Sequence, residues 1–220
     1  MILLAIDTSG SGCFVAIHDS DSNVTLGTAG ADIGRGHAER LMAFVDAALE
    51  AAGVDLSAIE RIAVTIGPGS FTGIRVGVAA ARGLSLALGV PAVGVSTLSA
   101  IAAAHLSEHP ATPVFVAIDA KRGEAYCQAF AADGAAVSAP LILPLDEARA
   151  AAEVSQALVI GSAAPLIAGT AGDSEPAQPI PIGAVARLGA LADPRADKPK
   201  PLYLRGPDAK PQAGFAIARA

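Results

Sequence analysis

The 220 residues are 52% hydrophobic and 16% charged, with a net charge of −6; this allows a sizeable core and excludes a disordered chain or one that draws in nucleic acid by its own charge. Cys13 and Cys127 stand far apart, giving neither a disulfide framework nor a metal-ligand spacing. The first residues lack a basic stretch and reach Asp7 too early for a signal peptide, while the longest apolar run, 76–95, is broken by Arg82 and by Gly89-Val90-Pro91. The expectation is a cytoplasmic protein without membrane contact.

Residues 2–7, 13–19 and 24–27 read as three short strands joined by turns of Ser, Asp, Asn and Gly. Residues 37–52 read as a helix with Leu41, Val45, Ala48, Leu49 and Ala52 on one face. Met42, Phe44 and Ala51 widen its apolar arc to roughly half the cylinder, more than the ~100° stripe of a helix packed on one side. Ser57-x-x-Glu60 has the form of a capping box. A strand over 62–66 then runs into Gly67-Pro68-Gly69-Ser70-Phe71-Thr72-Gly73 and a helix over 72–88.

That glycine-rich turn can either cradle a phosphate or simply turn the chain. Glycine supplies positive φ and close approach, and the start of the following helix presents free N–H groups. It is not a Walker A loop, because no Gly-Lys-Ser/Thr follows, and Gly73 comes one residue late for G-x-G-x-x-G. Pro68 also removes one N–H from any phosphate nest. Asp7-Thr8-Ser9-Gly10 poses the same choice: a Mg²⁺ and phosphate loop of an actin-like ATPase, or an Asx-type turn in which Asp7 accepts backbone N–H groups. The candidate nucleotide-binding residues are therefore Asp7, Gly67, Gly69 and Ser70.

The helix over 72–88 is apolar nearly all round. Ile74, Val76, Val78, Leu84, Leu86 and Leu88 spread over the cylinder, and Arg75 and Arg82 fall only about 20° apart at helical spacing. A helix apolar on every side must be buried on every side. One side has the sheet; the other requires the helix over 37–52, a partner protein, or both.

A strand over 90–95 and a helix over 97–108 come next, and then the pattern restarts. Ala117-Ile118-Asp119 repeats Ala5-Ile6-Asp7, and Val159-Ile160-Gly161 weakly repeats the strand before the glycine turn. Strands are expected over 114–119, 124–131, 136–143 and 157–161, with a helix over 146–153 and helices after it. Asp119 is followed by Ala-Lys-Arg, which gives a phosphate no close approach. Two tandem βββαβα halves, the second reduced, resemble the arrangement of the actin, sugar-kinase and heat-shock-ATPase superfamily. The expected division is a lobe over 1–96, a smaller lobe over 97–192 and a Pro-rich tail over 193–220, ordered on contact or disordered, whose Leu202-Tyr203-Leu204 island calls for a cover. His18, His37, His105 and His109 form no zinc-ligand motif, and no G-x-S-x-G elbow supports a serine nucleophile. No metal site and no catalytic residue is assigned.

Five segments together, ILLAIDTS, RGHAERL, IGPGSFTGIRVGVAAARGLSLALGVPAVGVSTLSA, AIDAKRGEAY and PLYLR, resemble the TsaB (YeaZ) family, the bacterial partner proteins of the machinery that makes threonylcarbamoyladenosine in tRNA. The resemblance implies an actin-like fold, a heterodimer with the catalytic paralogue TsaD, and association with the ATPase TsaE. TsaD places a threonylcarbamoyl group on adenosine 37 of tRNAs that read codons starting with A, so tRNA contact would be indirect, through the complex. TsaD relatives carry a metal-binding H-x-x-x-H after a Val-Pro-Ala strand; aligning Val90-Pro91-Ala92 puts Thr97 and Ile101 at those positions, and neither replaces an imidazole. The implied role is a catalytically inactive sister that works by binding, with Leu41, Phe44, Val45, Ile74, Arg75 and Val78 at the partner contact and a homodimer through the same helices when TsaD is absent. No cofactor is assigned firmly. An actin-like ATPase or kinase with its own ATP or ADP site, or a nucleotide at the subunit interface, remains the open alternative, and a metallopeptidase is disfavoured by the missing zinc ligands.

Overall fold

The computed structural model describes residues 1–170 and 179–205. β1 (Ile2–Asp7), β2 (Gly12–Asp19) and β3 (Val24–Asp32) form an antiparallel meander, and β4 (Arg61–Gly67) and β5 (Ala92–Ser96) continue it in parallel, giving the order β3-β2-β1-β4-β5. A second sheet orders β6 (Val114–Lys121), β7 (Glu124–Phe130), β8 (Leu141–Pro144) and β9 (Leu158–Ile160) as β8-β7-β6-β9. The helices are α1 (His37–Ala52), α2 (Phe71–Leu88), α3 (Thr97–Glu108), α4 (Leu145–Ser155), α5 (Ala164–Ala168) and α6 (Ile182–Leu191). Both halves follow the doubled α/β plan that the repeat in the sequence predicts.

The first sheet is covered on both faces, and its inner strands β1 and β4 read as continuous apolar runs for that reason. Leu4, Ile6, Val15 and Ile17 pack with Leu41 and Val45 of α1 and with Ile74 and Val78 of α2. Leu3, Ala5, Ala16 and Ala63 face the other way, onto Val185 and Ala186 of α6. Small side chains allow this second contact, since a Cβ on Gly189 of α6 would overlap that of Ala63. The lobe expected over 97–192 thus gives up its last helix: α6 is the back layer of the first sheet, which no periodicity in the sequence reveals. α3 lies between the sheets, with Ala100 on the first core and Leu98 and Ala102 against Val114, Val116 and Phe130 of the second.

Three local differences have plain causes. β3 runs to Asp32 instead of ending at residue 27, because Gly27 does not turn the chain; a Cβ there would meet the α1 backbone at Ala48 and Ala52. No helix comes after Ser57 for a capping box to close, only a single 3₁₀ turn over Leu56–Ala58, and Glu60 instead exchanges hydrogen bonds with Ile2, accepting its N–H at 2.8 Å and donating to its carbonyl at 2.8 Å. The strand expected over 136–143 divides into a bridge at Ala136 and β8 beyond Pro140, which lacks the N–H to continue the ladder.

Residues 193–205 form a strap over the first lobe. Gly94 N–H donates to Asp197 O (2.7 Å), Arg82 Nε to Pro199 O (2.9 Å) and Leu202 N–H to Ile66 O (2.8 Å). Arg205 then reaches the second lobe, donating to Ala120 O (3.1 Å) and pairing with the Glu124 carboxylate. This part of the expected tail is ordered by contact; residues 206–220 lie outside the described residues.

Candidate functional site

A cleft of about 550 Å³ separates the lobes, lined by the β1–β2 turn, the glycine turn, one face of α3 and the β9–α5 turn. Here an actin-like ATPase would hold its nucleotide. Asp7 and Gly69 line this cleft, Gly67 and Ser70 are not among its lining residues, and the two loops meet at Ser9. Asp7, 3% exposed, accepts Ser9 N–H (2.9 Å), Ser9 Oγ–H (2.7 Å) and Thr65 Oγ–H (2.7 Å) on one oxygen, the Asx-turn arrangement. Ser70 N–H donates to Ser9 O (2.6 Å), and Ser70 Oγ accepts Gly73 N–H (3.2 Å) as the cap of α2. The Ser9, Ser70 and Gly73 N–H groups are thereby engaged within the two loops.

The glycines explain how the two loops come so close. A Cβ at Gly69 would overlap the Ser9 carbonyl, one at Gly73 the Thr8 carbonyl, and one at Gly77 the Thr8 hydroxyl. Thr8 in turn donates its hydroxyl to Gly73 O (2.8 Å). In the second lobe Asp119 is also engaged, accepting Lys121 N–H (2.7 Å) and Lys121 Nζ (2.6 Å). Among the described residues no lysine or arginine lines the cleft, whereas Asp7 and Glu108 do.

Thr97, Ile101 and His105 stand one turn apart on the α3 face that lines the cleft. The two positions aligned with a metal-binding histidine pair therefore do look into the cleft, carrying a hydroxyl and a hydrocarbon. Among the described residues no cluster of three His, Cys, Asp or Glu side chains suits a metal. Burial, with a smaller push from Asp7, raises the Cys13 thiol to about 11, and burial raises Cys127 to about 11, so neither is a ready nucleophile.

The outer side of α1 and α2 has the opposite character. Gly73, Ile74, Gly77, Val78 and Ala81 of α2 are buried on the sheet, yet Phe71 is 55% exposed and Leu86 87%, with Met42 of α1 at 44%. α2 is long and apolar enough by length and composition to cross a membrane, but its inner stripe belongs to the core. Of the six residues implied at a partner contact, Leu41, Val45, Ile74 and Val78 are core residues of this chain, because they form the 3.6-residue stripe that meets the sheet. Phe44 is half-buried beneath the Arg40 guanidinium, 5.2 Å from its ring, and Arg75 is exposed. Sequence reasoning missed the cluster that Arg75 organises: its guanidinium lies 3.6 Å from the Phe71 ring centre, and its Nε donates to Tyr203 Oη (2.8 Å) from the strap. The Leu202-Tyr203-Leu204 island was the available signal.

A doubled α/β chain with an interlobe cleft is an actin-like fold, and here its strand-end Asp7 is engaged by Ser9 and Thr65. The family model of TsaD, described as tRNA N6-adenosine threonylcarbamoyltransferase, matches residues 23–141. The chain is 30% identical to YeaZ from Pseudomonas aeruginosa, with a TM-score of 0.75 over 92% of this chain and 99% of that one. It is 36% identical over 218 residues to an uncharacterized protein of Mycobacterium tuberculosis, 96% of this chain and 95% of the relative. The tRNA threonylcarbamoyladenosine biosynthesis protein TsaB of Escherichia coli is 40% identical over 129 residues, a match spanning 57% of this chain and 53% of that protein. The chain belongs to the TsaB (YeaZ) family.

Proposed function

We propose that this protein serves threonylcarbamoyladenosine formation in tRNA as a non-catalytic cytoplasmic subunit, binding and stabilising the TsaD transferase through the outer face of α1 and α2. The observation that carries the reading is that face: Phe71, Leu86 and Met42 lie open on two helices whose other sides are fully used by the core. Exposed apolar surface of this kind marks a contact site. The name of the Escherichia coli relative supports the pathway, and the likeness of residues 23–141 to the transferase family is consistent with a TsaD-associated role. The engaged Asp7 and the pair Thr97 and Ile101 support a binding role over turnover.

In this reading TsaE docks on the assembled pair, tRNA is reached through the complex, and the chain pairs with its own copy when TsaD is missing. Reconstitution tests it. Modification of tRNA is expected to require both subunits, with none from this protein alone; transfer or ATP hydrolysis by the isolated chain at ~1 s⁻¹ or faster would overturn the reading. Light scattering with and without TsaD separates the heterodimer from the homodimer.

A further inference from the structure

A second hollow, of about 410 Å³, lies between the C-terminal half of α2 and the strap, lined by Arg82, Ser85, Leu86 and Gly89 on one side and Lys198 and Pro199 on the other. It is preformed. Three hydrogen bonds tie the strap along this edge, from Gly94 N–H to Asp197 O, from Arg82 Nε to Pro199 O and from Leu202 N–H to Ile66 O. A ligand entering here does not have to order the chain first.

The charge of the hollow is one-sided. Arg82 and Lys198 line it, Lys200 lies two residues further along the strap, and none of the three is paired with a carboxylate among the described residues. The strap's own acids are turned to its backbone: Asp193 accepts Arg195 N–H (2.9 Å), and Asp197 accepts Asp193 N–H (2.8 Å). Such a cluster of cations without carboxylate partners stands out in a chain of net charge −6. At its rim is Leu86, the most exposed large apolar side chain among the described residues. Cations around one bare leucine suit an acidic polypeptide with an apolar anchor. RNA phosphates would match the cations but leave Leu86 uncovered, and three charges neutralise too few phosphates to hold RNA against a negative body.

We propose that this groove takes an acidic segment of the partner subunit, with an apolar side chain seated on Leu86 and carboxylates facing Arg82, Lys198 and Lys200. The proposal extends the docking face along α2 and rests on the docking reading above. Rim charges of this sort govern association rate and salt dependence more than core packing does.

The test uses the full chain and its Lys198→Glu/Lys200→Glu variant, which keeps the Arg82–Pro199 bond; thermal melts check that both fold alike. Each is titrated with TsaD at about 50 and 500 mM salt, with a fluorescein-labelled glutamate-rich peptide carrying one leucine, and with a tRNA transcript. The variant is expected to bind TsaD about three- to tenfold more weakly at low salt, the gap closing at high salt, and to lose the peptide. Leu86→Ala weakens the peptide in the unaltered background. Equal binding of TsaD and peptide by both chains overturns the proposal, as does a wild-type chain that ignores the peptide. Loss of tRNA binding alone in the variant overturns it in favour of RNA. If wild type binds no TsaD at either salt, the docking reading falls, while peptide binding lost in the variant still upholds acid recognition by the groove.

Discussion

The two halves of the chain start alike and part company after their inner parallel strand. β4 lies beside β1 as β9 lies beside β6, and each opening strand carries Ala-Ile-Asp, at its end in β1 and two residues before it in β6. In both, a glycine of positive φ packs on the opening strand or the turn after it: Gly69 against Ser9 O, and Gly161 against Ala117 O. Past that glycine the likeness ends. After β4 comes α2, 18 residues long, with one face in the core and one in the open; after β9 comes α5, five residues long. The shared plan closes a loop in each half, and only the first half adds a long helix with surface left to offer. In this fold the loop beside Ser9 and the long helix α2 are built from the same turn, so packing the one positions the other.

The largest expected effect separates the two faces of α2. Ile74→Ala empties a buried site and should lower unfolding free energy by about 2–5 kcal/mol in urea titration. Leu86→Asp should leave that titration within about 0.5 kcal/mol of wild type while weakening TsaD binding at least about tenfold by calorimetry. A Leu86→Asp chain that binds normally would remove the outer face from the interface.

Next comes the comparison of the paired aspartates. Asp7→Ala strips the acceptor from Ser9 N–H, Ser9 Oγ and Thr65 Oγ, leaving buried donors unpaired at about 1–3 kcal/mol. Asp119→Ala loses an ion pair with a largely exposed Lys121 and should cost about 1 kcal/mol or less. Calorimetry with Mg²⁺ and ATP should be silent for wild type and both variants; micromolar binding that disappears in Asp7→Ala would reopen the nucleotide alternative.

The smallest effect concerns pH. His18 sits buried between Thr25 of β3 and α6, and burial, then the positive Arg187, lower its pKa from 6.5. The unfolded chain therefore takes up the proton first as pH falls. This stability term is fully present above about pH 6.5 and declines below it until the folded-state pKa is passed. Urea midpoints measured from pH 7.5 downward should fall in wild type and fall less in His18→Gln; equal slopes would mean that His18 does not titrate differently on folding.

Much of the fold was legible in the sequence because the local signals agree with one another, whereas the sequence left the turn at Asp7 open between a phosphate loop and an Asx turn. Helices α1 and α3 begin and end where periodicity and Gly or Pro place them. What stayed hidden depends on contacts distant in sequence. Gly27 looks like a turn until α1 lies on it. The apolar stripe over 182–191 says that a sheet covers it, but not which sheet. An over-apolar α2 announces a second surface, yet its outward side emerges only once Gly73 and Gly77 are seen against Thr8. Ser70 as a helix cap was there to be found, masked by the reading of its loop as a phosphate cradle.

The position of α6 has a consequence for how the molecule is made. The first sheet is complete by residue 96, but the helix that covers its back face is encoded some ninety residues later, beyond the whole second sheet. During synthesis Leu3, Ala5 and Ala63 must wait, one face of their sheet bare, until residue 191 has left the ribosome. Translation that stops after α5 would release a half-clad sheet, a substrate for chaperones and proteases and no functional lobe.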